Sequence, residues 1–160
     1  MVERLRKMLI RHEGRKDVPY LCPAGKLTIG IGHNITDKGL PKDIQAYLDE
    51  HGYITDAMID RIFAADVMEA MSACMKLYPQ FNSFSEGRKI ALIDFLFNVG
   101  IGTAQEFKST NRAINGGNWE AAAENIRHSL YWKQLGGDPP GTDDGKLERP
   151  EEIYKMLLEG

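Results

Sequence analysis

His12-Glu13-Gly14-Arg15-Lys16-Asp17-Val18-Pro19-Tyr20-Leu21-Cys22-Pro23-Ala24-Gly25-Lys26-Leu27-Thr28-Ile29-Gly30-Ile31-Gly32-His33 is the stretch that decides the fold. Ahead of it, Val2, Leu5, Met8 and Leu9 recur at helical spacing over residues 2–12. Gly14 is placed to end that helix as a left-handed cap. Pro19, Pro23, Gly25, Gly30 and Gly32 exclude a helix between residues 17 and 35. Leu27, Ile29 and Ile31 alternate with Thr28, Gly30 and Gly32, which predicts a strand with one apolar face and one small or polar face. Pro23-Ala24-Gly25 supplies the turn before it, so the segment reads as a hairpin. Such a ribbon aims Glu13 at the helix end, Cys22 at the hairpin tip and Thr28 in the return strand into one small volume. Gly30 and Gly32 read as room for a chain lying close to the backbone.

Outward from the hairpin the chain turns helical. Pro41 opens a helix to about Glu50, and Gly52 stops it. Thr55 is a good N-cap for a helix reaching about Leu77, with Ile59, Ile62, Phe63, Ala70, Met71 and Cys74 on one stripe. At that length it spans roughly 33 Å, enough to bridge two lobes. Ser85 caps residues 86–99, which are apolar on nearly every side and belong in the centre of a core. Gly100 and Gly102 read as breaks, followed by a helical turn near 104–107 and a helix near 109–114. Gly116-Gly117 is another break, and Asn118 caps a helix from Trp119 to about Trp132. Residues 135–146 read as a loop, and Pro150 with Glu151 and Glu152 starts the last helix. The layout is α+β and a single domain over 1–160. A small hairpin lobe covers about 13–55, a linking helix about 55–77, and a helical lobe about 78–160 together with the N-terminal helix 2–12.

The bulk composition excludes several classes. At 160 residues the chain is long enough to bury a sizeable core. A net charge of −3 lacks the basic excess of a nucleic-acid binder. Residues 1–11 carry four positive charges and one negative, which reads as a solvated helix face. Cys22 and Cys74 form no CxxC pair or metal-finger spacing, so both are read as reduced thiols, with no metal and no cofactor expected. No apolar run spans a membrane, and Arg11, His12 and Glu13 interrupt any signal-peptide core.

The residues carry chemistry of their own. A proton donor working near neutral pH wants a carboxylic acid whose charged form is disfavoured. A helix C-terminus disfavours negative charge, which suits Glu13. A cysteine between Leu and Pro is by default a small apolar filler. It becomes a nucleophile only beside a base or a positive charge, for which Lys26 and His33 are the sequence neighbours. A Cys–His protease therefore stays open at this point. His33 reads as paired with a carboxylate rather than as a metal ligand.

Glu13-Gly14, Tyr20, Cys22 and Thr28-Ile29-Gly30-Ile31-Gly32-His33 resemble the bacteriophage-type lysozymes of glycoside hydrolase family 24. The family motif is Glu, eight residues, Asp or Cys, five residues, Thr, and this spacing is met by Glu13, Cys22 and Thr28. Arg88–Gly100 is similar to the family's buried helix, Gly117-Asn118-Trp119 with Ala121–Ala123 to the start of a later helix, and Leu147–Leu157 more loosely to its end. The resemblance implies a lysozyme-like two-lobed fold and cleavage of the β-1,4 bond between N-acetylmuramic acid and N-acetylglucosamine. It makes Glu13 the general acid and Thr28 a positioner of water or substrate. Cys22 stands where most members have aspartate; as a thiolate it would stabilise the cationic sugar transition state or help activate water. Gly30 and Asn98 would contact substrate, His33 and Asp66 would form a buried ion pair, and Arg149 would lie near Glu13 and hold it. The implied partner is bacterial peptidoglycan, met by a monomeric endolysin made in the host cytoplasm. A holin would admit it to the periplasm and wall. A virion-associated tail lysozyme and a non-catalytic wall-binding protein are the alternatives.

Overall fold

In the computed structural model, which describes residues 1–160, the first helix is α1 (Val2–Glu13), with Leu5, Met8 and Leu9 buried. Gly14 ends it at φ +74° by donating its N–H to the Ile10 carbonyl at 2.8 Å. The chain then makes an antiparallel sheet of β1 (Lys16–Leu21), β2 (Leu27–Gly30) and β3 (His33–Asn34), in that order. Tyr20 pairs with Thr28, Leu21 with Leu27 and Ile29 with His33. The β1–β2 register is irregular between Lys16 and Tyr20, where Pro19 has no N–H to give the ladder.

The return strand is shorter than its alternation predicts. Gly30 and Gly32 sit at φ +66° and +64°, a conformation that ends β2 and turns the chain into β3. Ile31 therefore lies in the turn, and Thr28, Ile29 and Gly30 are buried together while Leu27 is 38% exposed. The alternating face is lost because the glycines bend the backbone. A short helix, α2 (Ile35–Lys38), follows, with Asn34 accepting from the Asp37 N–H at 2.9 Å. Its single turn was too short for a periodic signal.

Helix α3 (Lys42–His51) ends on Gly52, and Thr55 caps α4 (Asp56–Leu77) by accepting from the Met58 N–H at 3.2 Å. In α5 (Glu86–Glu106), Ser85 accepts from the Arg88 N–H at 3.3 Å, and Ile90 to Leu96 are buried. Its kink is at Gly100 alone (φ +79°, ψ 161°); Gly102 stays within the helix. Helix α6 (Lys108–Asn115) follows. The helix expected from Trp119 to Trp132 is two helices, α7 (Trp119–Arg127) and α8 (Leu130–Gln134). Ser129 separates them. Its hydroxyl donates to the Ile126 carbonyl at 2.6 Å and accepts from the Trp132 N–H at 3.2 Å, local bonds that compete with a continuous helix. The last helix, α9 (Arg149–Glu159), opens on a capping box between Glu148 and Glu151, with Pro150 in its first turn.

The α+β class is thus the observed one. The chain divides into two compact units, Val2–Glu69 and Ala70–Gly160 with Met1, the boundary falling inside α4. Helix α1 groups with the sheet, in the first unit, rather than with the helical lobe to which its sequence had assigned it. No single helix is long and apolar enough to cross a membrane.

Candidate active site

Glu13 is the last residue of α1 and is half-buried. Its side chain lies against the backbone of the β2–β3 turn. A Cβ added to Gly32 would fall 2.6 Å from the Glu13 Cδ and 2.9 Å from its Cγ, and closer still to Oε2. Real carbon atoms never approach so closely, so the carboxyl fills the space a side chain at position 32 would take. Only glycine supplies both that space and the positive φ. At Gly30 the missing side chain faces Ile59, whose Cγ2 would be 3.5 Å from an added Cβ. The space beside Gly32 is thus taken by the Glu13 carboxyl, whereas an added Cβ at Gly30 would meet Ile59 only at ordinary contact distance.

Cys22 opens the hairpin turn. Its C=O accepts from the Gly25 N–H at 2.8 Å, its N–H donates to the Lys26 carbonyl at 2.9 Å, and Gly25 takes φ +78°. The first position of such a turn favours Asp, Asn or Ser, because a side-chain acceptor there meets the N–H groups of the bend. Sulfur occupies that acceptor position. The Lys26 N–H bonds it and lowers its pKa below the ordinary thiol value; partial burial opposes this, and the Ala24 N–H and the Thr28 hydroxyl add to the lowering. The turn thus eases ionisation of the thiol. Neither Lys26 nor His33 serves as its base. The Lys26 ammonium is paired with Asp37, and both His33 ring nitrogens are engaged elsewhere.

Thr28 is buried in β2, cross-strand from Tyr20, and its hydroxyl donates to the Lys26 carbonyl at 2.9 Å. Tyr20 reports that the two candidate acid groups share one neighbourhood. Burial pushes its phenol pKa up, and the charges of Glu13 and Cys22 push it further.

The His33–Asp66 pair is present. Nδ1 lies 2.7 Å from the Asp66 Oδ2, Nε2 lies 2.8 Å from the Gly39 carbonyl, and both side chains are 8% exposed. Lys38, which carried no signal in the sequence, extends the pair. Its Nζ reaches the Asp66 Oδ1 at 3.2 Å and the Glu69 Oε2 at 2.8 Å. In the second unit, Asn98 is exposed, two residues before the Gly100 kink. Arg149 donates from Nε to the Asp94 Oδ1 at 2.7 Å and from a terminal nitrogen to the Asp94 carbonyl at 3.3 Å. Asp94 is completely buried on α5, a partner that the apolar run around it concealed. Carboxylates of Asp138, Asp143, Asp144 and Glu148 in the loop before α9 gather with Glu151 of its first turn. Asp138 and Glu151 are engaged there by loop amides: the Asp138 N–H donates to Glu151 and the Asp144 N–H to Asp138.

Comparison with known proteins matches the chain to a named group. A family model described as phage lysozyme matches residues 10–145. The chain is 28% identical over 146 residues to "Probable T4-type lysozyme 2" of Dictyostelium discoideum, an alignment covering 82% of this chain and 86% of that protein. It is 25% identical to "Probable T4-type lysozyme 1" of the same organism, with the same coverage. It is also 29% identical over 145 residues to the pre-baseplate central spike protein Gp5 of Enterobacteria phage T4. That alignment again takes in 82% of this chain but spans only 25% of the spike protein.

Proposed function

The chain belongs to the phage lysozyme family, and we propose that it is a peptidoglycan hydrolase cleaving the β-1,4 bond between N-acetylmuramic acid and N-acetylglucosamine. The observation that carries this reading is the seating of the Glu13 carboxyl on Gly32 in the same unit as the thiol of Cys22. A glycosidase needs an acid to protonate the leaving oxygen and a second group that meets the cationic sugar or the incoming water. Glu13 is the acid. Cys22 is the second group, working as the thiolate that the turn's N–H groups favour, with Thr28 beside it. The partner is peptidoglycan, and the biological role is that of an endolysin that accumulates in the host cytoplasm and reaches the wall through a holin. The test is clearing of outer-membrane-permeabilised Gram-negative cells, with mass analysis of the released muropeptides. Products with a muramic acid reducing end support the reading; intact glycan or anhydro-muramic ends overturn it.

The similarity to the phage T4 spike protein favours a second reading, a lysozyme carried on the virion. Proteomic analysis of purified virions separates the two: the endolysin is absent from particles and present in lysates.

Two substitutions probe the site. Cys22→Asp keeps an acceptor in the turn and is expected to remain active, whereas Cys22→Ala or thiol alkylation is expected to lower clearing by about a hundredfold. An alanine variant with full activity would reduce the thiol to packing. Gly32→Ala pushes its Cβ into the Glu13 carboxyl, and a displacement of about 1 Å at a reacting group costs on the order of 10²-fold in rate. Gly52→Ala is the control: its φ is +79° but nothing lies within 4 Å of the added Cβ. Both variants should lose stability by about 1–2 kcal/mol in urea melts, and only the Gly32 variant should lose activity.

A further inference from the structure

We propose that Asn115 is a self-modification site: its side chain cyclises onto the Gly116 nitrogen when the end of α6 opens, and the acidic product releases the bond that ties α6 to the end of α4. All the groups involved lie in the second unit, and the proposal does not depend on the enzymatic reading.

The sequence singles out this residue. Of the seven asparagines, only Asn115 precedes glycine; the others precede Ile, Ser, Val, Arg or Trp. Cyclisation requires the following backbone nitrogen to reach the side-chain Cγ. A side chain on the following residue hinders that approach, and glycine has none. Asn115 is exposed, so water and hydroxide reach it. In the closed fold the nitrogen is held elsewhere, because the Gly116 N–H donates to the Arg112 carbonyl at 3.0 Å. The turn is closed further by the Gly117 N–H on the Ile114 carbonyl at 3.1 Å and the Asn118 N–H on the Ala113 carbonyl at 2.8 Å. The reaction therefore waits for the last turn of α6 to open, and helix ends are where local opening costs least.

Water is the co-reactant. The Gly116 nitrogen forms a bond to Cγ, the bond from Cγ to the side-chain amide nitrogen breaks, and ammonia leaves with the proton of the Gly116 N–H. Water then opens the cyclic imide. Opening on one side gives aspartate. Opening on the other gives isoaspartate, in which the main chain runs through the former side chain.

Either product removes a bond that the fold uses. The Asn115 Nδ2 donates to the carbonyl of Leu77, the last residue of α4, at 3.1 Å. A carboxylate has no hydrogen to give and would face that acceptor. It also places negative charge at the C-terminal ends of two helices, where the dipoles disfavour it. Isoaspartate lengthens the backbone as well, which disturbs the closing bonds of the turn. The Tyr78 hydroxyl, donating to the Asn111 Oδ1 at 2.8 Å, remains as a second tie between the end of α4 and α6. The modification therefore loosens this junction without unfolding the unit.

The test is incubation of the full chain in ¹⁸O-labelled water at mildly alkaline pH, in buffer and in urea, followed by peptide mapping by mass spectrometry. Label should accumulate first at position 115, as aspartate and isoaspartate together. It should do so about tenfold faster in urea than in the native fold, the protection that one closed hydrogen bond supplies. Gly116→Ala should suppress labelling in urea, where the folding of the variant does not matter. Asn115→Asp, which reproduces one product, should lower the urea midpoint and speed amide exchange at Tyr78 and at Gly116 to Asn118. Label appearing first at another asparagine, or a Gly116→Ala variant labelled at the wild-type rate, overturns the site. Equal rates in buffer and urea overturn the gating by helix opening. An Asn115→Asp variant with the wild-type midpoint and exchange overturns the claim on the junction.

Discussion

Glu13→Gln is expected to abolish peptidoglycan clearing, with a loss of about 10²-fold or more, while the melting transition stays close to that of wild type. The amide keeps the size of the side chain and its seat on Gly32 but has no proton to give to the glycosidic oxygen. General acid catalysis is worth about 10²–10⁴-fold, and this sets the expected loss. The measurement is the initial rate of turbidity loss on permeabilised cells, with circular dichroism and a urea melt confirming the fold. Residual activity above about a tenth of wild type would remove Glu13 from the acid role, since a positioned acid contributes more than that. Together with Gly32→Ala the experiment separates chemistry from placement. One variant removes the proton and keeps the position; the other keeps the proton and moves it.

The turn at Cys22 explains how a sulfur can occupy the position to which the family motif assigns aspartate or cysteine. A β-turn of this kind presents N–H groups to the side chain of its first residue, and those donors ask only for an acceptor. Aspartate is an acceptor at neutral pH without assistance. A thiol becomes an equivalent one only after ionisation, so Cys22 depends more on the Lys26 and Ala24 amides and on Thr28 than an aspartate would. That dependence makes the local hydrogen bonds of the turn the part of the site most sensitive to substitution.

The hairpin, the long α4 and the buried α5 were legible because each rests on a local signal. Pro23-Ala24-Gly25 makes a turn whatever surrounds it, and Thr55 and Ser85 cap helices by their own hydroxyls. Gly30 and Gly32 were legible as special and misleading as to why. Their positive φ breaks the strand, and the open side of Gly32 is filled by Glu13, a contact over a sequence distance that no periodicity encodes. Asp94 and Lys38 were missed for a related reason. A buried carboxylate within an apolar helix is readable only once Arg149, 55 positions away, is seen to meet it. The break at Ser129 is a side-chain bond overriding helical periodicity, which an apolar stripe cannot reveal.

Asp66→Asn is expected to destabilise the fold by about 3 kcal/mol near pH 6, and this cost should shrink as the pH rises. Removing one member of a buried ion pair costs about 3–5 kcal/mol, because the remaining charge is left without its partner. Here that charge is the imidazolium. The Asp66 carboxylate and the Gly39 carbonyl only accept, so both His33 ring nitrogens must carry hydrogen. Burial works against the charge, but the hydrogen bonds to Asp66 and Gly39 and the Asp66 charge outweigh it, and the His33 pKa is raised above 6.5. The folded state therefore binds the proton more tightly than the unfolded chain. Its stabilising contribution is fully present below the unfolded pKa, near pH 6.5, and is lost as the pH climbs through the folded value. Urea melts of wild type and Asp66→Asn at a series of pH values from 6 upward measure the gap. It should be widest at the acid end of that range and narrow steadily above it. A gap that is constant with pH would mean that His33 is neutral in the fold. A gap below about 1 kcal/mol at pH 6 would mean that Lys38, already shared between Asp66 and Glu69, adjusts to the lost carboxylate.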